Sequence, residues 1–330
     1  MLGDEALAST QEISHNFKIK DFDELIQGIR EGTPPGSRKK LNELGTDLTN
    51  LIFSKEILKV YNTIADHPIV VQQNELATRI PWEILPTRPG YLYPALEAGL
   101  SRHLMIQSDS ISKHSNQGRH NDDPLSVLII GDPTSDLDGA DIEAKNIYDM
   151  LRELDRNIPV TYLRQGQATK SEILRKLRNG RYDILHYAGH AAFEEDARWR
   201  SGIICAGGEV MTGRDLTQLT QLPTVMLFNA CESAKVRKKQ IRQIPDYRGS
   251  FAEAAIRAGI SHYIGTYWNV GDKDAVTFAK TFYDELSKGE MIGTAIVRAR
   301  QEVKNLSSRT VDWLNYIHYG NRRFRMKLKR

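Results

Sequence analysis

Short hydrophobic runs alternate with amphipathic segments along the chain from Pro124 onward. The runs are rich in β-branched residues and are bounded by turn-forming residues, a pattern typical of buried strands. Strands separated by amphipathic helices predict an α/β fold with a mostly parallel sheet that helices cover on both faces. The predicted strands are Leu125–Ile130, Val160–Leu163, Ile184–Leu185 with the residues that follow, Val225–Phe228, Ser261–Tyr267 and, as an edge strand, Trp313–Tyr319. The predicted helices are Ala140–Leu154, Thr169–Leu177, Thr212–Leu219, Phe251–Ala258, Asp272–Leu286 and Thr294–Val303.

The part of the chain before Pro124 predicts a smaller unit. Apolar residues recur at helical spacing from Leu41 to Ile52, which predicts an amphipathic helix. Short strands are predicted at Ile69–Val71 and Arg102–Ile106. The polar run Ser108–Asp123 is typical of a linker or mobile loop, so we place a domain boundary there. The predicted domains are 1–123, a smaller N-terminal α/β subdomain, and 124–330.

Composition and charge restrict the class of protein. Of 330 residues, 40% are hydrophobic and 26% are charged, which is typical of a soluble globular protein with ample material for a core. The net charge of +3 gives no overall electrostatic footprint for nucleic acid. No apolar run has the length of a membrane span, and no signal peptide is recognisable at the N-terminus. We therefore expect a cytoplasmic protein that does not contact membranes.

Two of the predicted strands end in reactive side chains. His190 follows Ala188-Gly189, and Cys231 follows Asn229-Ala230. The carboxyl ends of neighbouring parallel strands form one edge of a sheet, so the two side chains meet there if their strands pair. An imidazole beside a thiol allows a thiolate to form near neutral pH, which is the arrangement of a cysteine peptidase. The backbone N–H groups of Ala191 and Cys231 are candidate donors to the developing oxyanion.

Other candidate sites are weaker. His186 lies on the same predicted strand as His190 but about 13 Å from it, so we interpret His186 as structural. Cys205 has no histidine near it in sequence and is interpreted as a core residue. Asp132 follows a first strand, as in phosphoryl-accepting domains, although a turn explains it as well. Because no zinc-ligand spacing, P-loop or dinucleotide fingerprint is present, we expect no metal and no cofactor.

Short motifs link these residues to a known family. HYAGH at 186–190 and NACES at 229–233 are its paired motifs, and Ile80–Leu85, Leu137–Ala140 with Glu143, and Gly265–Trp268 match further ones in the same order. In these motifs the chain resembles CHAT domains, which are caspase-like cysteine peptidases related to separase. The resemblance covers residues 41 to 320.

The resemblance implies a caspase-like fold and a catalytic pair, for which the matching positions are His190 and Cys231. Residues 1–123 would be a pseudo-caspase-like half and 124–330 the catalytic domain. The family also implies cleavage of protein partners, often in bacterial defence or programmed cell death, under the control of a sensor or regulatory protein. No sensor module is recognisable here, so the regulator is a separate protein or the chain is a fragment. Ala191 stands where the family usually has glycine, and alanine restricts φ while keeping its N–H.

The resemblance also implies a preference for substrates. In the family an acidic residue after the strand of Gly265–Trp268 helps to select a basic residue before the scissile bond. Asp272 is the nearest match, followed by Asp274, and Trp268 would screen the carboxylate from water. Asp272 is also a candidate helix N-cap. The basic segment 235–248 is interpreted as a solvated loop or, alternatively, as an activation loop.

These observations predict a cysteine endopeptidase that cleaves a protein partner through His190 and Cys231 without a cofactor. The alternative is a catalytically silent interaction or scaffold module of the same fold, which Ala191 keeps open. A third interpretation is nucleic-acid binding by basic surfaces such as Arg322–Arg330, which would require a salt-dependent affinity.

Overall fold

The computed structural model describes most of the chain from Arg38 onward. Cys231, the polar run Ser108–Asp123 and residues 235–246 of the basic segment lie outside the described residues. The described residues are 38–74, 76–88, 90–105, 125–154, 158–192, 202–230, 247–268, 270–306 and 311–326.

Among the described residues, eight strands form one sheet and three short strands form a second sheet. The strands are β1 Ile69–Gln73, β2 Leu100–Leu104, β3 Val127–Gly131, β4 Val160–Arg164, β5 Ile184–Gly189, β6 Ala191–Ala192, β7 Gly202–Ile204, β8 Val210–Thr212, β9 Val225–Ala230, β10 His262–Thr266 and β11 Tyr316–Tyr319.

The large sheet has the strand order β1-β2-β11-β10-β9-β5-β3-β4. The five strands from β10 to β4 run parallel to one another. β11 is antiparallel to β10, whereas β2 is parallel to β11 and β1 is parallel to β2. The prediction of a mostly parallel α/β sheet is therefore confirmed. The prediction of an edge strand at Trp313–Tyr319 is wrong, because β11 lies inside the sheet and Asp312–Leu314 form a 3₁₀ turn before it.

Helices cover both faces of the sheet, as the alternation of strands and helices predicted. Successive residues of a strand point to opposite faces, so Leu227 packs in one core cluster and Phe228 in the other. The first cluster includes α1, α4, α8 and α9, and the second includes α5, α6 and α7. The helices are α1 Arg38–Ile52, α2 Lys55–Tyr61, α3 Pro94–Glu97, α4 Asp138–Leu154, α5 Lys170–Asn179, α6 Gly213–Thr217, α7 Tyr247–Ala258, α8 Asp272–Ser287 and α9 Ile292–Leu306.

Local sequence signals explain several helix ends. The Thr169 hydroxyl accepts a hydrogen bond from the Glu172 N–H at 3.2 Å, which makes Thr169 the N-cap of α5. The Glu172 carboxylate forms an ion pair with Arg175, one helical turn further along α5. Gly259 follows α7 with φ +113°, a left-handed backbone conformation in which glycine commonly ends a helix.

Buried polar contacts fix the N-terminal strands and also join them to the rest of the sheet. Arg102 on β2 is fully buried and forms a two-pronged ion pair with Glu83. The Gln73 side chain at the end of β1 donates to the Tyr319 hydroxyl at 2.9 Å. Residues 1–123 and 124–330 thus both contribute strands to one sheet, and the division of the chain into these two domains stays a prediction.

Candidate active site

Three strands end together at one edge of the large sheet. Gly131 of β3 is opposite Ala188 of β5, and Gly189 of β5 is opposite Ala230 of β9. The chain turns at this edge into Asp132 after β3 and into His190 after β5. Parallel α/β sheets bind ligands at such an edge. Cys231 follows Ala230 in the sequence and lies outside the described residues.

His190 is held from both its ring and its backbone. Its Nε2 lies 3.0 Å from Oδ1 of Asp136, and the imidazole is almost fully buried although the carboxylate is 47% exposed. Its carbonyl oxygen accepts hydrogen bonds from the Ile204 N–H, at 3.0 Å, and from the Tyr187 hydroxyl. An ionised carboxylate only accepts, so Nε2 carries the proton and Nδ1 is the basic nitrogen of the neutral ring.

A tight turn after β3 presents Asp136 to His190. Asp132 and Ser135 have φ +42° and +60°, values that few residues other than glycine adopt. The buried Asp132 carboxylate accepts the N–H groups of Asp136 and Leu137, each at 3.2 Å. Burial is the largest cause of a raised Asp132 pKa, which the two N–H groups oppose. The turn therefore explains Asp132, the structural alternative considered from the sequence.

Asp136 was not among the residues selected from the sequence. The Thr134 hydroxyl donates to its Oδ1 at 2.5 Å, and this bond is the largest cause of a lowered Asp136 pKa, with further contributions from His190. The carboxyl group is thereby kept ionised and available to His190. The sequence signal was weak, because an aspartate in a turn after a strand is ordinarily a turn residue.

Asp272 lies near the same edge. It is the exposed first residue of α8, and the N-cap is Gly271, so the prediction of Asp272 as an N-cap is wrong. Its carboxylate packs against the first turn of α4, where a Cβ added to Gly139 would lie 2.2 Å from the Asp272 Cγ. Gly139 is close in sequence to Asp136, which contacts His190. Because Asp272 packs against Gly139, Asp272 lies on the same side of the sheet edge as His190.

Trp268 and Asp274, the other predicted specificity residues, are both buried. The Trp268 indole N–H donates to Asp312 Oδ1 at 2.9 Å, within the core beneath the loop. The described surface therefore offers Asp272 but not these two side chains to a bound peptide.

A buried polar cluster lies under the ends of β5 and β9. Its members are Glu143, His186, Asn229 and Tyr283. Asn229 donates through Nδ2 to Glu143 Oε1, and the Tyr283 hydroxyl lies 3.2 Å from His186 Nδ1. His186 Nε2 is 3.2 Å from Glu143 Oε1 but lacks hydrogen-bond direction, so we treat that pair as a contact. The structural interpretation of His186 is confirmed by its complete burial in this cluster.

Cys205 is a core residue, as predicted. It is fully buried, and desolvation raises the pKa of its thiol to about 12. A thiol of that pKa forms almost no thiolate near neutral pH and is a poor nucleophile.

No helix within the described residues combines the length and apolar character needed to cross a membrane.

Comparison with known structures identifies the fold. The Arg-specific cysteine proteinase gingipain R is 12% identical, with a TM-score of 0.56, over 92% of this chain and 76% of the other. A complex of the Porphyromonas gingivalis RgpB pro- and mature domains is 13% identical, with a TM-score of 0.55, over 94% and 78%. A Saccharomyces cerevisiae separase–securin complex is 16% identical, with a TM-score of 0.46, over 75% of this chain. The chain spans about 15% of that separase chain. No curated protein matches the chain.

The sheet, its helices and the buried histidine at a strand end define an α/β protein with the caspase-like fold of cysteine peptidases. A model of the CHAT domain family matches residues 42–321, and the chain belongs to this family.

Proposed function

We propose that the chain is a cysteine endopeptidase in which Cys231 is the nucleophile and His190 is the base. The observation that carries the proposal is the buried His190 ring, oriented by Asp136, beside the paired strand ends Gly189 and Ala230. Cys231 follows Ala230 directly in the sequence. Chain connectivity thus supports a thiol near the imidazole.

The proposed reaction begins with proton transfer from the Cys231 thiol to His190 Nδ1. The thiolate attacks the scissile carbonyl carbon, and the resulting imidazolium is stabilised by the Asp136 carboxylate at Nε2. The imidazolium then protonates the leaving amine as the C–N bond breaks, which leaves a thioester. Water, deprotonated by His190, hydrolyses the thioester and regenerates the thiol.

The β6–β7 pairing supports Ala191 as an oxyanion donor. The Ile204 N–H donates to the His190 carbonyl, which makes the next pair, Ala191 and Ile203, a pair without mutual hydrogen bonds. In such a pair the N–H of each residue points away from the other strand. The Ala191 N–H is thus directed away from β7, and we propose that it and the Cys231 N–H bind the oxyanion.

We further propose that Asp272 favours arginine or lysine before the scissile bond. Its carboxylate is exposed, carries a formal negative charge, and lies near the His190 edge. A guanidinium can donate two charge-assisted hydrogen bonds to such a carboxylate. Trp268 would then act from beneath the loop, whereas the buried Asp274 would have no direct role in selection.

The substrate we propose is a protein, and the regulator a separate sensor protein in a cytoplasmic defence or cell-death system. The support is membership of the CHAT family. Purified chain should then turn over peptides slowly until the regulator is added, and rapid cleavage of many proteins by the chain alone would contradict this.

The test of the catalytic assignment is turnover of fluorogenic arginyl peptides. Cys231→Ala and His190→Ala should abolish turnover while circular dichroism stays unchanged, and Cys205→Ala is the matched control that should keep it. Asp136→Asn should lower kcat by at least about tenfold and move the acidic limb of the pH–rate profile, since the imidazolium loses its carboxylate. A dead Cys205→Ala protein with an active Cys231→Ala protein would reverse the assignment.

A further inference from the structure

The loop that leads from β10 into Asp272 is held by side chains from the segment before β11. Asn315 Oδ1 accepts the N–H groups of Tyr267 and Trp268 at 2.6 and 2.7 Å. Its Nδ2 donates to the Trp268 carbonyl at 2.7 Å. A single buried amide therefore satisfies three backbone groups at the start of this loop.

Asp312 holds the other end of the loop. Its Oδ1 accepts the indole N–H of Trp268 at 2.9 Å, and its Oδ2 accepts the backbone N–H of Gly271 at 3.0 Å. Gly271 is the N-cap of α8 and has no side chain of its own, so Asp312 fixes the residue that precedes Asp272. Both carboxylate oxygens of Asp312 are thus used to bind the loop.

A second carboxyl group faces Asp312. Asp274, in the first turn of α8, is buried close to Asp312. Burial is the largest cause of a raised Asp312 pKa, and the nearby Asp274 carboxyl group adds to it. Both oxygens of Asp312 still accept hydrogen bonds from the loop.

We propose that Asp312 and Asn315 are positioning residues for substrate specificity, which fix the loop so that Asp272 faces a basic side chain of the peptide. The inference rests on the proposed peptidase function. Asp312 acts through its two acceptor oxygens, which bind the loop. Its charge does not act on the substrate, because the side chain is buried. Asp274 lies close to Asp312 beneath the loop and makes no contact with the peptide.

The same acid-to-amide change at the two partners separates these roles. In Asp312→Asn the side-chain amide has one acceptor oxygen, so its NH₂ group must face the N–H of Trp268 or of Gly271. One end of the loop is then released. In Asp274→Asn the new amide donates to Asp312, whose two acceptors stay in place.

The experiment measures the affinity of fluorescent arginyl and alanyl peptides for the full chain carrying Cys231→Ala. Asp312→Asn should weaken arginyl peptide binding about tenfold, from the lost bond and the displaced carboxylate, and leave the alanyl peptide within about twofold. Asp274→Asn should leave both affinities within about twofold. Trp268→Phe removes only the indole donor and should weaken arginyl binding a few-fold, which keeps the test decisive if Asp312→Asn fails to fold.

The outcomes distinguish this inference from the proposed function. In the chain with native Cys231, Asp312→Asn should raise KM for the arginyl peptide with kcat little changed. Equal effects of Asp312→Asn and Asp274→Asn, or a loss of stability without a change in arginyl affinity, would overturn the positioning role and leave the peptidase proposal intact. Absent cleavage with Asp312-dependent arginyl binding would instead refute the peptidase and retain the positioning role.

Discussion

Replacing Gly139 by alanine should weaken selection of basic substrates, although the substitution removes no charged group. The added Cβ would lie 2.2 Å from both Cγ and Oδ1 of Asp272. Non-bonded carbon atoms rest at about 3.5 Å or more, so the carboxylate must move by more than about 1 Å. Asp272 is exposed and can rotate into solvent, which makes movement of its side chain easier than movement of α4.

The Gly139→Ala substitution should leave the free energy of unfolding unchanged or raise it, but should lower the preference for arginyl peptides. Alanine is a better helix former than glycine, so the free energy of unfolding should be unchanged or higher by up to about 1 kcal/mol. A hydrogen bond to a charged group contributes about 1.5–3 kcal/mol, so misdirecting the carboxylate should reduce the preference for arginyl peptides roughly ten- to a hundredfold. A variant that is at least as stable yet less selective would be difficult to explain by partial unfolding.

The assay compares kcat/KM for arginyl and alanyl peptides in wild type, Gly139→Ala and Gly166→Ala. Gly166 is the matched control, because an added Cβ there meets nothing within 4 Å. In a chain that already carries Asp272→Ala, Gly139→Ala should have no further effect, since the side chain that it displaces is gone. An unchanged arginyl preference in Gly139→Ala, or additive effects with Asp272→Ala, would refute the proposed contact.

Two further predictions concern buried ionisable groups. Cys205 in the native protein should resist alkylation by iodoacetamide at pH 8, because at a pKa of about 12 only about one thiol in ten thousand is thiolate. Mass spectrometry before and after denaturation measures the alkylation. Rapid alkylation of Cys205 in the native protein would contradict its burial. Asp312 has a raised pKa in the folded state, so its contribution to stability is present below about pH 3.9 and is lost as the pH rises through the folded pKa. Asp274→Asn removes the nearby carboxyl group and should flatten that loss between pH 4 and 8 in urea denaturation, whereas parallel curves for wild type and variant would exclude Asp274 as a cause of the raised Asp312 pKa.

The sequence was sufficient for most strands of the large sheet and for the edge where the candidate site lies, but not for the short strands β6 to β8. Runs of β-branched and other apolar residues predict buried strands, and His190 follows such a run directly. The order of the strands in the sheet could not be predicted, because the hydrophobic pattern indicates which residues are buried but not which strands pair. The insertion of β11 between β2 and β10 depends on contacts such as that of Gln73 with Tyr319, which are far apart in the chain.

The missed and misplaced site residues have the same cause. Asp136 acquires its role only through contact with His190, across a turn whose φ values the sequence does not specify. Trp268 follows a strand at the candidate edge, but it is buried in the core, where its indole N–H donates to Asp312 of a distant segment. Local sequence patterns therefore predicted the position of the candidate site, whereas contacts between distant segments of the chain determine which side chains face solvent.

The position of β11 inside the sheet has a consequence for how the chain assembles. β1 and β2 are synthesised well before β11, yet β2 joins the sheet through β11. Closing so long a loop carries a large entropic cost before its contacts form, and such topologies fold slowly. The segment just before β11 also supplies Asp312 and Asn315, which hold the loop beside Asp272. A growing polypeptide on the ribosome thus lacks both the completed sheet and its substrate-facing loop until almost all of these residues have emerged.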